Sequence, residues 1–183
     1  MITLITLLML LAACTGQPAA PPTPEVLRVP LTVATESRML DAGGAARPGA
    51  GDNAPDFGYT MIDGRKGTLS ALRGSPVIVN FWASWCLPCR DELPAFQQAL
   101  STHTGVTLLA VNRNETAEVV ARFAIETGSQ LTLVTNFAGD IGDAYGVTNL
   151  PLTVFINSDG SIAARHIGAL NLAVINEQIE ALQ

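Results

Sequence analysis

Val77-Ile78-Val79-Asn80-Phe81-Trp82 is apolar at every position but one, the pattern of a strand buried on both faces rather than one that alternates. An amphipathic stretch follows directly from Cys86, and the switch of period predicts a strand feeding a helix. Upstream, Phe57 to Ile62 alternates like a strand, Asp63-Gly64 is a turn signal, and Leu69 to Leu72 forms a short helical turn closed by Gly74. Downstream, Val106 to Val111 is a second buried strand. Glu115 to Thr127 is a helix with Val119, Val120, Phe123 and Ala124 on its apolar face, stopped by Gly128. Leu131 to Val134 is a short strand and Asp140 to Tyr145 a short helix. Leu152 to Ile156 and Ile162 to Ile167 make a hairpin around Asp159-Gly160, and Leu170 to Leu182 is a closing helix. From the central strand onward the order is β-α-β-α-β-α-β-β-α, an α/β fold with helices on both faces of one sheet.

The N-terminal third reads differently. Met1 to Ala13 holds no charged side chain, and its apolar run is too short for a permanent membrane span of about 20 residues. Residues 1–13 are a signal peptide. Leu11-Ala12-Ala13-Cys14 resembles the bacterial lipobox, which makes Cys14 the lipidation site; no Lys or Arg precedes the apolar run, a departure from the usual pattern. Thr15 stands where lipoproteins retained in an inner membrane carry Asp. Gln17 to Pro30 carries five prolines, so residues 14–50 are expected to be a lipid anchor site and Pro/Ala-rich tether; the sequence leaves open a short strand at Leu31 to Ala34. The folded domain is expected over 51–183. That segment holds 13 acidic and 7 basic residues, all of the net charge of −6, which argues against a nucleic-acid partner.

Cys86-Leu87-Pro88-Cys89 opens the predicted helix. Free N–H groups and the helix dipole favour a thiolate there, so Cys86 is the candidate nucleophile and Cys89, one turn in, the candidate resolving thiol. Pro88 suits the first turn, where its missing N–H costs nothing. A structural zinc site needs four ligands, and the remaining Cys14, His103 and His166 show no ligand spacing. Haem attachment needs a His after the second cysteine, where Arg90 stands. A structural bridge stays open, although a loop this small constrains the unfolded chain little.

Phe81-Trp82-Ala83-Ser84-Trp85-Cys86-Leu87-Pro88-Cys89-Arg90 resembles the active-site stretch of the thioredoxin superfamily. The Ala54 to Phe57 strand, the Leu69 to Gly74 step and Glu92 to Pro94 resemble its extracytoplasmic TlpA/ResA-type branch. The resemblance covers residues 51 to 183. It implies a thioredoxin fold, a central mixed β-sheet with an N-terminal β-hairpin extension and a central insert. It implies a cis bond before Pro151, which would turn Leu150 outward to pair with a client peptide. Trp85 would offer that client a flat apolar surface. Cytoplasmic thioredoxins carry an acid where this chain has Asn80, which cannot titrate. Glu92, three residues after Cys89, is the candidate replacement as proton acceptor, since burial would raise its pKa. Glu115 falls where relatives also carry an acid.

The function this implies is disulfide reduction in client proteins such as apocytochrome c, outside the bacterial cytoplasm and from a lipid anchor. Electrons would come from a membrane thiol-transfer protein, and the redox-active Cys86–Cys89 pair would need no organic cofactor or metal. The alternatives are a disulfide oxidase or isomerase, and a non-enzymatic module that binds peptide or copper; copper-delivering relatives carry a wider cysteine spacing and a distal His. A peroxiredoxin reading fails, because its Pro-x-x-x-Thr-x-x-Cys pattern would fall on Val79 and Ala83.

Overall fold

The computed structural model describes residues 32–43 and 47–182, so the expected signal peptide, Cys14 and most of the expected tether lie outside the described residues. Among the described residues eight strands form a single sheet in the order β3-β2-β1-β6-β5-β4-β7-β8. They are β1 (Val33–Asp41), β2 (Asp56–Met61), β3 (Lys66–Thr68), β4 (Val77–Trp82), β5 (Thr107–Arg113), β6 (Thr132–Asn136), β7 (Leu152–Ile156) and β8 (Ile162–Ile167). The helices are α1 (Leu87–Thr102), α2 (Ala117–Thr127), α3 (Asp140–Ala144) and α4 (Leu172–Glu180), with a 3₁₀ turn at Ser70–Leu72. From β4 onward the element order is the one the hydrophobic pattern predicts.

The sheet is mixed. β4, β5 and β6 run parallel, and β7 and β8 add antiparallel on the other side of β4. All six residues of β4 are buried, as its near-continuous apolar run requires of a central strand. Successive β4 residues feed opposite faces. Ile78 and Trp82 pack with Phe96 of α1, Phe123 of α2 and Ile175 of α4, whereas Val77, Val79 and Phe81 pack with Ile141 and Tyr145 on the face of α3. Asn80 has the parity of Ile78 and Trp82, so it points beneath α1.

One boundary needs correction. The sequence pattern predicts a tether to residue 50 and leaves a short strand at Leu31 to Ala34 open, but Val33–Asp41 is a nine-residue strand inside the sheet. β1 pairs antiparallel along β2 and parallel with β6 at Val33 and Ala34 only. Beyond Ala34 the β6 ladder gives way to side chains: Ser37 Oγ donates to the Thr135 carbonyl (2.6 Å), and Met39 N–H donates to the Asp140 carboxylate (3.1 Å). Polar Thr35 and Ser37 occupy its inward-facing parity, which erased the apolar alternation that would have announced it.

Two smaller differences bear on the site. The second predicted helix begins at Ala117, leaving Glu115 in the preceding turn, and the last begins at Leu172, leaving Leu170 before it. Among the described residues no helix is long and apolar enough to cross a membrane.

Candidate active site

The parallel strands deliver their loops to one edge of the sheet. There β4 ends at Trp82 and the chain turns through Ala83-Ser84-Trp85 into α1. Cys86 is the N-cap of α1, its Sγ accepting from Cys89 N–H (3.3 Å), and Pro88 lies in the first turn. Cys86 and Cys89 are joined by a disulfide. The pair is asymmetric: Cys86 is 6% exposed and Cys89 fully buried. Trp85 and Leu87, on either side of Cys86, are largely exposed, at 69% and 70%. A disulfide placed there is attackable from outside at Cys86; the attack expels the buried Cys89 sulfur, and the helix N-terminus favours the Cys86 thiolate once the pair is reduced.

β7 begins at the same edge, because Leu152 pairs with Phe81. The Leu150–Pro151 peptide bond is cis, Pro151 is buried, and its carbonyl accepts from Gly168 N–H (2.9 Å). Leu150 is partly buried and packs against both faces' cores. Trp82 is fully buried, its Nε1 donating to the Ala110 carbonyl (3.1 Å) and its ring tilted against Phe123.

Glu92, one turn beyond Cys89, is only 1% exposed. Its carboxylate takes donors from two directions: Asn80 Nδ2 to Oε1 (2.7 Å) and Leu170 N–H to Oε2 (3.0 Å). Asn80 Nδ2 also donates to Thr153 Oγ1 (3.0 Å). Burial pushes the Glu92 carboxyl up to about 7, against the opposing effect of the Leu170 and Asn80 hydrogen bonds. A carboxyl poised there can gain or lose a proton near neutrality.

A second carboxylate grips the loop itself. Glu115 accepts from Ser84 N–H (2.7 Å), Ser84 Oγ (2.5 Å) and Asn112 Nδ2 (2.6 Å), and Arg90 donates to the Ser84 carbonyl (3.4 Å). Ser84 is thus held from the turn after β5 and from α1, while Asn112 of β5 steadies Glu115.

Cys86, Cys89, Trp85, Leu150 and Pro151 therefore meet at one sheet edge, and Glu92 lies beneath α1 beside Asn80. Thr153 was not singled out from the sequence, nor was the Glu115–Ser84 contact. Asn80 and Thr153 each interrupt an apolar buried strand, and they are direct cross-strand partners. A lone polar residue in each of two such runs is the signal that could have paired them. Among the described residues no group of three or more His, Cys, Asp or Glu side chains is arranged to hold a metal.

A mixed sheet with a cysteine pair capping its central helix and a cis-proline beside it defines the class as a thioredoxin-type redox protein. The AhpC/TSA family model matches residues 50–165. A thiol-disulfide oxidoreductase ResA from Halalkalibacterium halodurans is 32% identical over 136 residues, 73% of this chain and 77% of that protein. Among solved structures, a thiol:disulfide interchange protein of the thioredoxin family from Chlorobium tepidum is 26% identical with a TM-score of 0.64, covering 75% of this chain and 97% of that one. StoA from Bacillus subtilis, at 26% identity and a TM-score of 0.61, covers 68% and 96%. The chain belongs to the AhpC/TSA family, among its thioredoxin-like thiol–disulfide oxidoreductases of the ResA type.

Proposed function

We propose that this oxidoreductase works as a reductant of client disulfides outside the cytoplasm, tethered to a membrane through a lipid on Cys14. The asymmetric cysteine pair over a buried, near-neutral carboxyl is the observation that carries this reading.

In the reduced protein, Cys86 thiolate attacks one sulfur of a client disulfide. A Cys86–client bond forms, the client bond breaks, and the departing client thiolate takes a proton from water. Cys89 then gives its thiol proton to ionised Glu92 and attacks Cys86 Sγ. The second client thiolate leaves and is protonated. Two electrons have passed to the client and the Cys86–Cys89 disulfide is restored. A membrane thiol-transfer protein then attacks Cys86 and supplies two electrons, and Glu92 hands its proton back to the departing Cys89 thiolate, which restores the starting state. No metal or organic cofactor takes part.

The client approaches over Trp85 and pairs its backbone beside Leu150 and cis-Pro151. Cysteines awaiting haem in an apocytochrome c are clients of this kind: extended, accessible and in need of reduction.

The test is the reduction potential of the Cys86–Cys89 couple, read by Trp fluorescence in glutathione or dithiothreitol buffers. A value at or below about −230 mV is expected of a reductant. A value of roughly −120 to −180 mV would reverse the direction of electron flow, giving an oxidase or isomerase and removing the apocytochrome reading.

A further inference from the structure

The buried polar cluster under α1 contains one mismatch. Asn80 Nδ2 is used twice, towards Glu92 and Thr153, while Asn80 Oδ1 is buried with no hydrogen-bond partner among the described residues. A buried acceptor left without a donor is costly, and natural cores rarely keep one without a reason. Every partner that Glu92 has here is a donor. The arrangement therefore suits an ionised carboxylate and has no acceptor for a carboxylic acid.

We propose that the Asn80 carboxamide is a two-position partner for Glu92, presenting Nδ2 to the carboxylate and turning over to present Oδ1 when the carboxyl takes up a proton. A half-turn about the terminal torsion exchanges Oδ1 and Nδ2, which differ little in size. In the turned state Oδ1 lies within reach of two hydroxyls. One is the acid O–H of Glu92; the other is Thr153 Oγ1, which can donate as readily as accept. Nδ2 moves to the place Oδ1 had, so the turn exchanges one unpartnered atom for another and favours neither state on that account. The preference is left to the proton on Glu92.

The surroundings suit such a device. The groups meeting the carboxyl from β4, β7 and the segment before α4 are an amide, a hydroxyl linked through that amide, and the Leu170 N–H. The titratable neighbour on its own helix is Cys89, and no neighbouring charge contributes to the shift of the Glu92 carboxyl. Asp at this strand position would bring a second charge and a second proton. Asn brings only a dipole that follows the first. Asn80 is thus a positioning residue acting through Glu92, and this role rests on the reading of Glu92 as proton acceptor for Cys89.

The experiment is side-chain NMR on the full chain, reduced and oxidised, from pH 5 to 9. The Glu92 carboxyl carbon reports the proton, and the two Asn80 Nδ2 protons report the amide, assigned by their loss in Asn80→Leu. As Glu92 takes up its proton, both Asn80 protons should leave their hydrogen bonds and move upfield together with the same midpoint. In Glu92→Gln they should not respond to pH. If Glu92 titrates while the Asn80 protons keep their positions, the turning amide is wrong and the proton-acceptor reading stands. If Glu92 does not titrate in that range in either redox state, both are wrong.

Discussion

Replacing Glu92 by Gln should make the protein more stable at neutral pH, although it removes a residue assigned to the mechanism. The carboxyl goes from an ordinary value of 4.5 in the unfolded chain to about 7 in the fold, because burial outweighs its two hydrogen bonds. Below pH about 4.5 it is protonated in both states, and its burial carries no ionisation penalty. Between pH about 4.5 and 7 the unfolded chain ionises first, so folded stability falls with rising pH. At about 1.4 kcal/mol per pH unit, the loss reaches about 3 kcal/mol once the folded carboxyl also ionises. Gln has nearly the same shape and no charge. The assay is urea unfolding of the disulfide form of both proteins from pH 4 to 8.5, which keeps the cysteines out of the titration. The stability of Glu92→Gln minus that of the wild type should climb by about 3 kcal/mol between pH 4.5 and 7 and then level off. Other titrating groups cancel in the difference. A flat difference would show that burial does not raise this carboxyl. A falling one would show that its hydrogen bonds outweigh burial.

The remaining predictions concern the loop, the strand and the reaction. Glu115→Ala should lose roughly 1.5–3 kcal/mol in urea unfolding, because Ser84 and Asn112 lose donor bonds to a charged partner; a variant of wild-type stability would mean that Arg90 alone holds the loop. A chain beginning at residue 51 should fail to unfold cooperatively while one beginning at residue 32 does, since β1 sits between β2 and β6; circular dichroism melts decide it. Cys89→Ala should accumulate mixed disulfides with client through Cys86, visible on non-reducing gels, and Cys86→Ala should accumulate none. In stopped-flow measurements the resolving step should slow about tenfold per pH unit well below pH 7, as the fraction of ionised Glu92 declines; a rate independent of pH from 5 to 8 would exclude Glu92 as the acceptor.

Much of this molecule was legible in the chain because its signals are local. The apolar run Val77 to Trp82 can be satisfied only by burial on both faces, and the cysteines with Pro88 can only open the helix that follows. Those constraints act within a few residues, so β4, α1 and the hairpin β7–β8 emerge from spacing and turn chemistry. β1 was not legible, since its inward parity carries Thr35 and Ser37, and their worth depends on where Thr135 and its neighbours lie about a hundred residues away. The site divides in the same way. Sequence spacing put Glu92 one turn from Cys89, yet a solvated first-turn carboxylate would have had the same spacing. Only the tertiary fold, by laying α1 over β4 and β7 and bringing Leu170 back across it, buried that carboxyl among donors and left Asn80 Oδ1 without one. Chemical identity is written residue by residue, whereas desolvation is a property of everything packed around a residue, and the chain acquires it only on folding.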